Sequence, residues 1–151
     1  MQLLAIATIL CIGMLLGTEF AVSVFINPIL NKLDRACQAV SIQMYAARLG
    51  KAMPFWYAAS LLLLIASTVL LRHQGELALL LVSSALWIIV IVVTLLVLVP
   101  INNRMMNMDA TSFGDEAQKA HDRWDALHRL RVLTLIVSFV CYLVAIHIGP
   151  R

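Results

Sequence analysis

The sequence predicts an all-α fold: a four-helix transmembrane bundle with amphipathic helical extensions on its cytoplasmic side. Three observations predict it. The chain is 62% hydrophobic and only 13% charged, whereas a soluble domain runs near half apolar and about a quarter charged. The apolar residues gather into four runs, each close to the roughly 17–25 residues that cross hydrocarbon as a helix. The runs show no alternation, and hydrocarbon holds no water to satisfy a bare backbone, so they read as helices and not as strands of a barrel.

The runs cover residues 3–26, 54–71, 77–99 and 132–148. The first lacks a basic amino end, and its apolar stretch exceeds the roughly 7–15 residues of a signal core, so it reads as a retained span. Between spans one and two, Ile29, Leu30, Leu33, Ala36, Cys37, Val40, Met44 and Ala47 recur at three- and four-residue spacing. That spacing predicts an amphipathic helix broken at Asn27-Pro28 and restarted for span two at Pro54. Span three is expected to end near Val99, because the residue before a proline disfavours helix. Ser112 with Asp115, or Thr111 with Gly114, supplies a start signal for the last helix. From there the pattern runs unbroken over 115–147, polar first and apolar later. The short outer turn over residues 72–76 makes spans two and three an antiparallel hairpin. No repeat of fixed period is evident, and residues 1–151 read as one domain.

Basic residues fix the expected orientation. Lys32, Arg35, Arg48 and Lys51 join spans one and two; Arg104, Lys119, Arg123, Arg129 and Arg131 join spans three and four; only Arg72 and Arg151 lie on the other side. Both long connections are therefore expected in the cytoplasm and both termini outside, in an inner or plasma membrane. The net charge of +3 reflects these membrane-edge residues and needs no nucleic-acid partner. Cys11, Cys37 and Cys141 form no CxxC and read as small hydrophobes.

Glu19 is a carboxylate inside span one, where a charge is costly and normally turns inward with a partner or a task. Ser23 and Asn27 follow at i+4 and i+8, forming an inward polar stripe. Gly13 and Gly17 form a GxxxG pair, suited to close helix approach within the bundle or between two copies. On the last helix, His121, Asp125 and His128 share a face, and Trp124, His128 and Arg131 cluster by the same arithmetic. An imidazole beside a carboxylate suits acid–base work or metal binding, though the spacing is not HExxH. Arg131 can snorkel or pair with Glu19. His73 and His147 stand near the outer ends of spans two and four, where two histidines can hold a haem; nothing else in the sequence specifies a cofactor.

Asn27-Pro28, Pro100-Ile101-Asn102 and the segment Trp124-Asp125-Ala126-Leu127-His128-Arg129-Leu130-Arg131 together resemble the anthrone oxygenase-like family, small four-span membrane proteins mostly described as a domain of unknown function. The resemblance covers nearly the whole chain through short motifs. It implies the four-span fold and, for a few members, oxidation of anthrones to anthraquinones. The matching positions are Asn27, Pro28, Pro100, Asn102, Trp124, His128 and Arg131, while Glu19 is added on physical grounds.

Three functions fit these residues. In a membrane oxidoreductase, a lipophilic aromatic or quinol-like substrate enters from the bilayer. Glu19 or His128 takes a proton, Arg131, Asn27 and Asn102 stabilise the resulting anion, and Trp124 lines the site. Oxygen, or a metal held by Glu19 and His128, accepts the electrons. In a non-catalytic membrane subunit the same groups are a structural network. A small exporter would also place an acidic residue in span one, but here the polar groups gather at one membrane edge.

Overall fold

A computed structural model describes residues 2–72, 76–107 and 114–148. Four helices account for nearly all of them: α1 (Gln2–Leu30), α2 (Arg35–Leu71), α3 (Leu77–Met106) and α4 (Asp115–Ile148), each long and apolar enough to cross a membrane. Neighbours in sequence are neighbours in space, and α4 closes the ring against both α3 and α1. The outer surface is apolar. Leu3, Leu62 and Leu96 are 82%, 68% and 72% exposed, as lipid-facing residues should be.

The interior holds Ile12, Leu15, Leu64, Leu80, Trp87, Leu135 and Tyr142, interleaved with hydroxyls. Thr8 pairs with Ser67 at 3.0 Å, Thr68 with Ser84 at 3.0 Å and Ser83 with Ser138 at 3.1 Å. Lipid solvates apolar side chains as well as a core does, so such interhelical hydrogen bonds and close packing hold membrane helices together. Gly13 serves this packing, with its missing Cβ facing the Phe139 ring of α4 at 4.0 Å, whereas Gly17 faces open space.

The helical extensions beyond the apolar spans pack on one another and form a second, smaller core of Leu30, Ala39, Ile42, Met105 and Ala117. Its boundaries differ from the sequence reading in three places. The amphipathic element begins at Arg35, not near Ile29, because the Asp34 side chain accepts the Cys37 N–H at 3.1 Å and caps the helix there. That backbone donor holds the Asp34 carboxyl below the usual carboxylate range. Second, α2 runs unbroken through Pro54. The lost hydrogen bond costs roughly 3 kcal/mol, and both flanks are anchored, by Ala39 and Ile42 in the lower core and by Tyr57 and Leu64 in the upper one.

The third difference concerns Pro28 and Pro100, neither of which ends its helix. Each follows a five-residue π turn, Val22–Ile26 in α1 and Thr94–Leu98 in α3. In both, the residue before proline donates its N–H five residues back, Asn27 to Val22 and Val99 to Thr94. A proline ring clashes with the carbonyl four residues earlier in a regular helix. The wider turn relieves that clash, and the helix continues to Leu30 in one case and Met106 in the other. The last helix matches its expected extent, with Asp115 and Glu116 in the first turn. The outer turn with His73 and the start signals at Thr111 and Ser112 fall among residues 73–75 and 108–113, outside the described residues.

Candidate functional site

Glu19 and Arg131 meet. The guanidinium Nη2 donates to Glu19 Oε2 at 2.6 Å, and the Tyr57 hydroxyl from α2 donates to Oε1 at 2.9 Å. Both carboxylate oxygens are thus held, and Glu19 is 2% exposed. The same Nη2 donates to His128 Nδ1 at 2.8 Å. A guanidinium has no acceptor, so Nδ1 is the lone-pair nitrogen. Nε2 therefore carries the proton and donates to the Glu19 backbone carbonyl at 3.2 Å. This network assigns His128 as the neutral Nε2–H tautomer. His128 Nδ1 also lies 3.3 Å from Glu19 Oε2, but the shorter Arg131 contact decides the tautomer. Thr94, in the π turn of α3, accepts from Arg131 Nη1 at 3.4 Å. The Tyr57 ring lies under the guanidinium at 5.7 Å and against Trp87.

Trp124 closes the cluster on the side of the smaller core. Its indole stacks on the His128 imidazole with centroids 4.8 Å apart and planes within 9°, and on its other side it parallels His121 at 6.3 Å. Below this stack, Asn27 donates its amide to Asp125 at 2.6 Å, and Asp125 also binds Arg129 at 2.7 Å. Helices α1 and α4 are therefore tied by two polar rungs, Glu19 to Arg131 and Asn27 to Asp125.

The π turn makes both rungs possible. Two turns of regular helix take about 7.2 residues, so eight residues from Glu19 to Asn27 would overshoot by about 80°. A π turn absorbs one residue, which leaves the two side chains within about 20° of one face.

Of the residues singled out from sequence, Glu19, His128, Arg131 and Trp124 come together. Asn27 is buried one rung lower, and Asn102 turns its amide to Met106 Sδ at 3.6 Å on its own helix. Tyr57 and Thr94 join the cluster without having been anticipated. Tyr57 sits beside Trp56 at a membrane edge, where an aromatic belt is the ordinary reading, and Thr94 is one hydroxyl in an apolar span. Their inward aim depends on helix rotation and on the π turn, which single residues do not announce. His147, paired in the haem reading with His73, is exposed.

A metal between Glu19 and His128 does not fit this geometry. Both groups are already bonded to the Arg131 guanidinium, a cation standing where the ion would have to sit. Among the described residues, no three His, Cys, Asp or Glu side chains gather as a ligand set.

No curated protein and no solved structure matches the chain. A family model described as anthrone oxygenase matches residues 42–141. The matched stretch contains Tyr57, Thr94, Trp124, His128 and Arg131 and leaves out α1, which brings Glu19 and Asn27. It spans well over half of the sequence, and the chain belongs to the anthrone oxygenase family.

Proposed function

We propose that this chain oxidises a lipophilic, anthrone-type aromatic with molecular oxygen at the Glu19–His128–Arg131 cluster. The observation that carries this reading is the convergence of residues 109 and 112 positions apart: a carboxylate, a guanidinium and an imidazole whose lone pair accepts from that guanidinium, gathered inside a bundle that faces lipid.

The chemistry suits these groups. The methylene of an anthrone lies opposite a ring carbonyl, so the anion formed by losing one proton places its charge on that oxygen. His128 Nδ1 gives up the Arg131 Nη2–H that it accepts at rest and takes the proton, and Arg131 stabilises the oxyanion. Glu19, held by Tyr57, fixes the guanidinium in place. The electron-rich anion reduces oxygen and forms a C–O bond to it. Loss of the second methylene hydrogen breaks the O–O bond and leaves the new carbonyl. The other oxygen atom leaves as water, carrying the two hydrogens.

A structural reading has its own support, since every polar atom of Glu19 and His128 already has a protein partner. One experiment separates the two. Oxygen consumption with an anthrone is measured in proteoliposomes for wild type and for a Glu19→Gln, His128→Ala double variant, with thermal unfolding recorded alongside. Loss of turnover in a folded variant supports the enzyme. Full turnover on every accepted substrate would end this mechanism, and lost stability with no ligand phenotype would favour the structural role.

A further inference from the structure

The guanidinium of Arg131 is incompletely used. It has five N–H donors in a fixed planar fork. Nη2 serves Glu19 and His128, and Nη1 serves Thr94. Nε is buried and has no partner among the described residues. Two of the five donors are therefore left over, Nε–H and one hydrogen of Nη1, and Nε is the fully buried one; among the described residues the only other buried side-chain atoms without a partner are the two ring nitrogens of His121. An unmet N–H of a charged group buried away from water is costly and asks for an acceptor.

Position favours an acceptor that arrives from the bilayer. The Arg131 side chain is 11% exposed, against 3% for Glu19 and 1% for His128. It is the most exposed of these three, and its bond to Thr94 sets it against α3. Beside it Thr94 is half-buried, and the flanking Val93, Leu95 and Leu96 are exposed to lipid.

Charge balance favours an anion that forms in place. At rest, Arg131 and Glu19 cancel and His128 is neutral, so a preformed anion would meet the Glu19 carboxylate with no spare positive charge. A neutral phenol or ketone that gives its proton to His128 creates the oxyanion and the imidazolium together, and the cluster stays neutral throughout.

We propose that the Nε–H of Arg131, in a guanidinium whose far side Thr94 holds through Nη1, is the seat of the substrate oxyanion, taking the phenolate or enolate oxygen of a fused-ring aromatic whose rings remain in the apolar seam. This rests on reading the cluster as a substrate site. The probe is 2-hydroxyanthraquinone, whose phenolate absorbs at longer wavelength than its phenol, titrated into purified full-length protein in lipid nanodiscs.

Wild type should show the phenolate band at a pH where the free probe is largely phenol. Arg131→Lys keeps the charge but lacks Nε and the fork; it should raise the midpoint of the bound probe by a pH unit or more. Thr94→Val, a milder change, should weaken binding several-fold and guards against misfolding of the lysine variant. An unchanged phenolate band in folded Arg131→Lys, or a probe bound to wild type only as neutral phenol, would overturn the assignment. The probe is not turned over, so the two proposals fail separately. A band without any anthrone oxidation leaves the seat and removes the reaction; anthrone oxidation without a band does the reverse.

Discussion

The guanidinium of Arg131 lies 2.6 Å from the carboxylate of Glu19, joining the first membrane helix to the last across 112 residues of chain. Glu19 is buried and the Arg131 side chain is 11% exposed, and their contact ties α1 to α4. Removing one partner of a buried pair leaves the other charge uncompensated, at a cost of about 3–5 kcal/mol. Glu19→Gln and Arg131→Leu should each lower unfolding stability in mild detergent by that order. The double variant should recover part of the loss, because neither charge remains alone. Additive losses in a double-mutant cycle would mean that the two side chains do not interact.

His128 is held as an acceptor by Arg131 and anchored through Nε2 to a backbone carbonyl. A general base contributes typically about 10²–10⁴-fold in rate. His128→Ala should therefore reduce anthrone oxidation by about that factor while helical content and detergent monodispersity are kept. A turnover number within two-fold of wild type would remove His128 from the mechanism.

Tyr57 is expected to act through Glu19. Tyr57→Phe keeps the ring under the guanidinium but removes the donor to Oε1. Hydrogen bonds to charged groups contribute about 1.5–3 kcal/mol, so unfolding stability should fall by that amount without loss of the bundle. No change in the unfolding midpoint would show that the carboxylate finds another donor.

The π turn of α1 can be tested by length. Deleting the lipid-facing Phe25 should convert the turn to regular helix and leave Glu19 and Asn27 on one face. Stability should fall by about the 3 kcal/mol of the restored proline clash, with turnover retained. Inserting one alanine after Phe25 rotates Asn27 by about 100° and should break the Asn27–Asp125 rung. If the deletion and insertion variants lose turnover equally, the turn is not what aligns the rungs.

The expected orientation has a chemical readout. Cys37 is exposed at the start of α2, while Cys11 and Cys141 are partly buried in the bundle. A membrane-impermeant maleimide should fail to label Cys37 in intact cells and label it after permeabilisation. Labelling of intact cells would place the long connections outside.

The spans, the long final helix and the meeting of Glu19 with Arg131 follow from rules that single residues obey, namely apolar run length and the cost of a lone charge in hydrocarbon. The continuity of α1 and α3 through Pro28 and Pro100 does not. A proline in sequence reads as a stop because the remedy, one extra residue in the preceding turn, has no residue signature of its own. The inward aim of Tyr57 and Thr94 was hidden for the same reason. A helix apolar on every side has no moment to fix its rotation, so which residues look inward is decided by its neighbours. Asn102 shows the opposite error: its place beside a proline resembled that of Asn27, yet it lies on another helix and faces another partner.

The matching π turns of α1 and α3 fall at the same distance ahead of Pro28-Ile29 and Pro100-Ile101, with Asn31 and Asn103 following at equal spacing. Positions an equal distance upstream are therefore counterparts, and the counterpart of Glu19 is Ile91. α1 and α3 share a backbone device, but of the two only α1 carries an acid. The two helices are thus alike in backbone and unlike in charge, and only α1 supplies a carboxylate to Arg131. Binding titrations should saturate at one 2-hydroxyanthraquinone per chain, whatever number of chains associate.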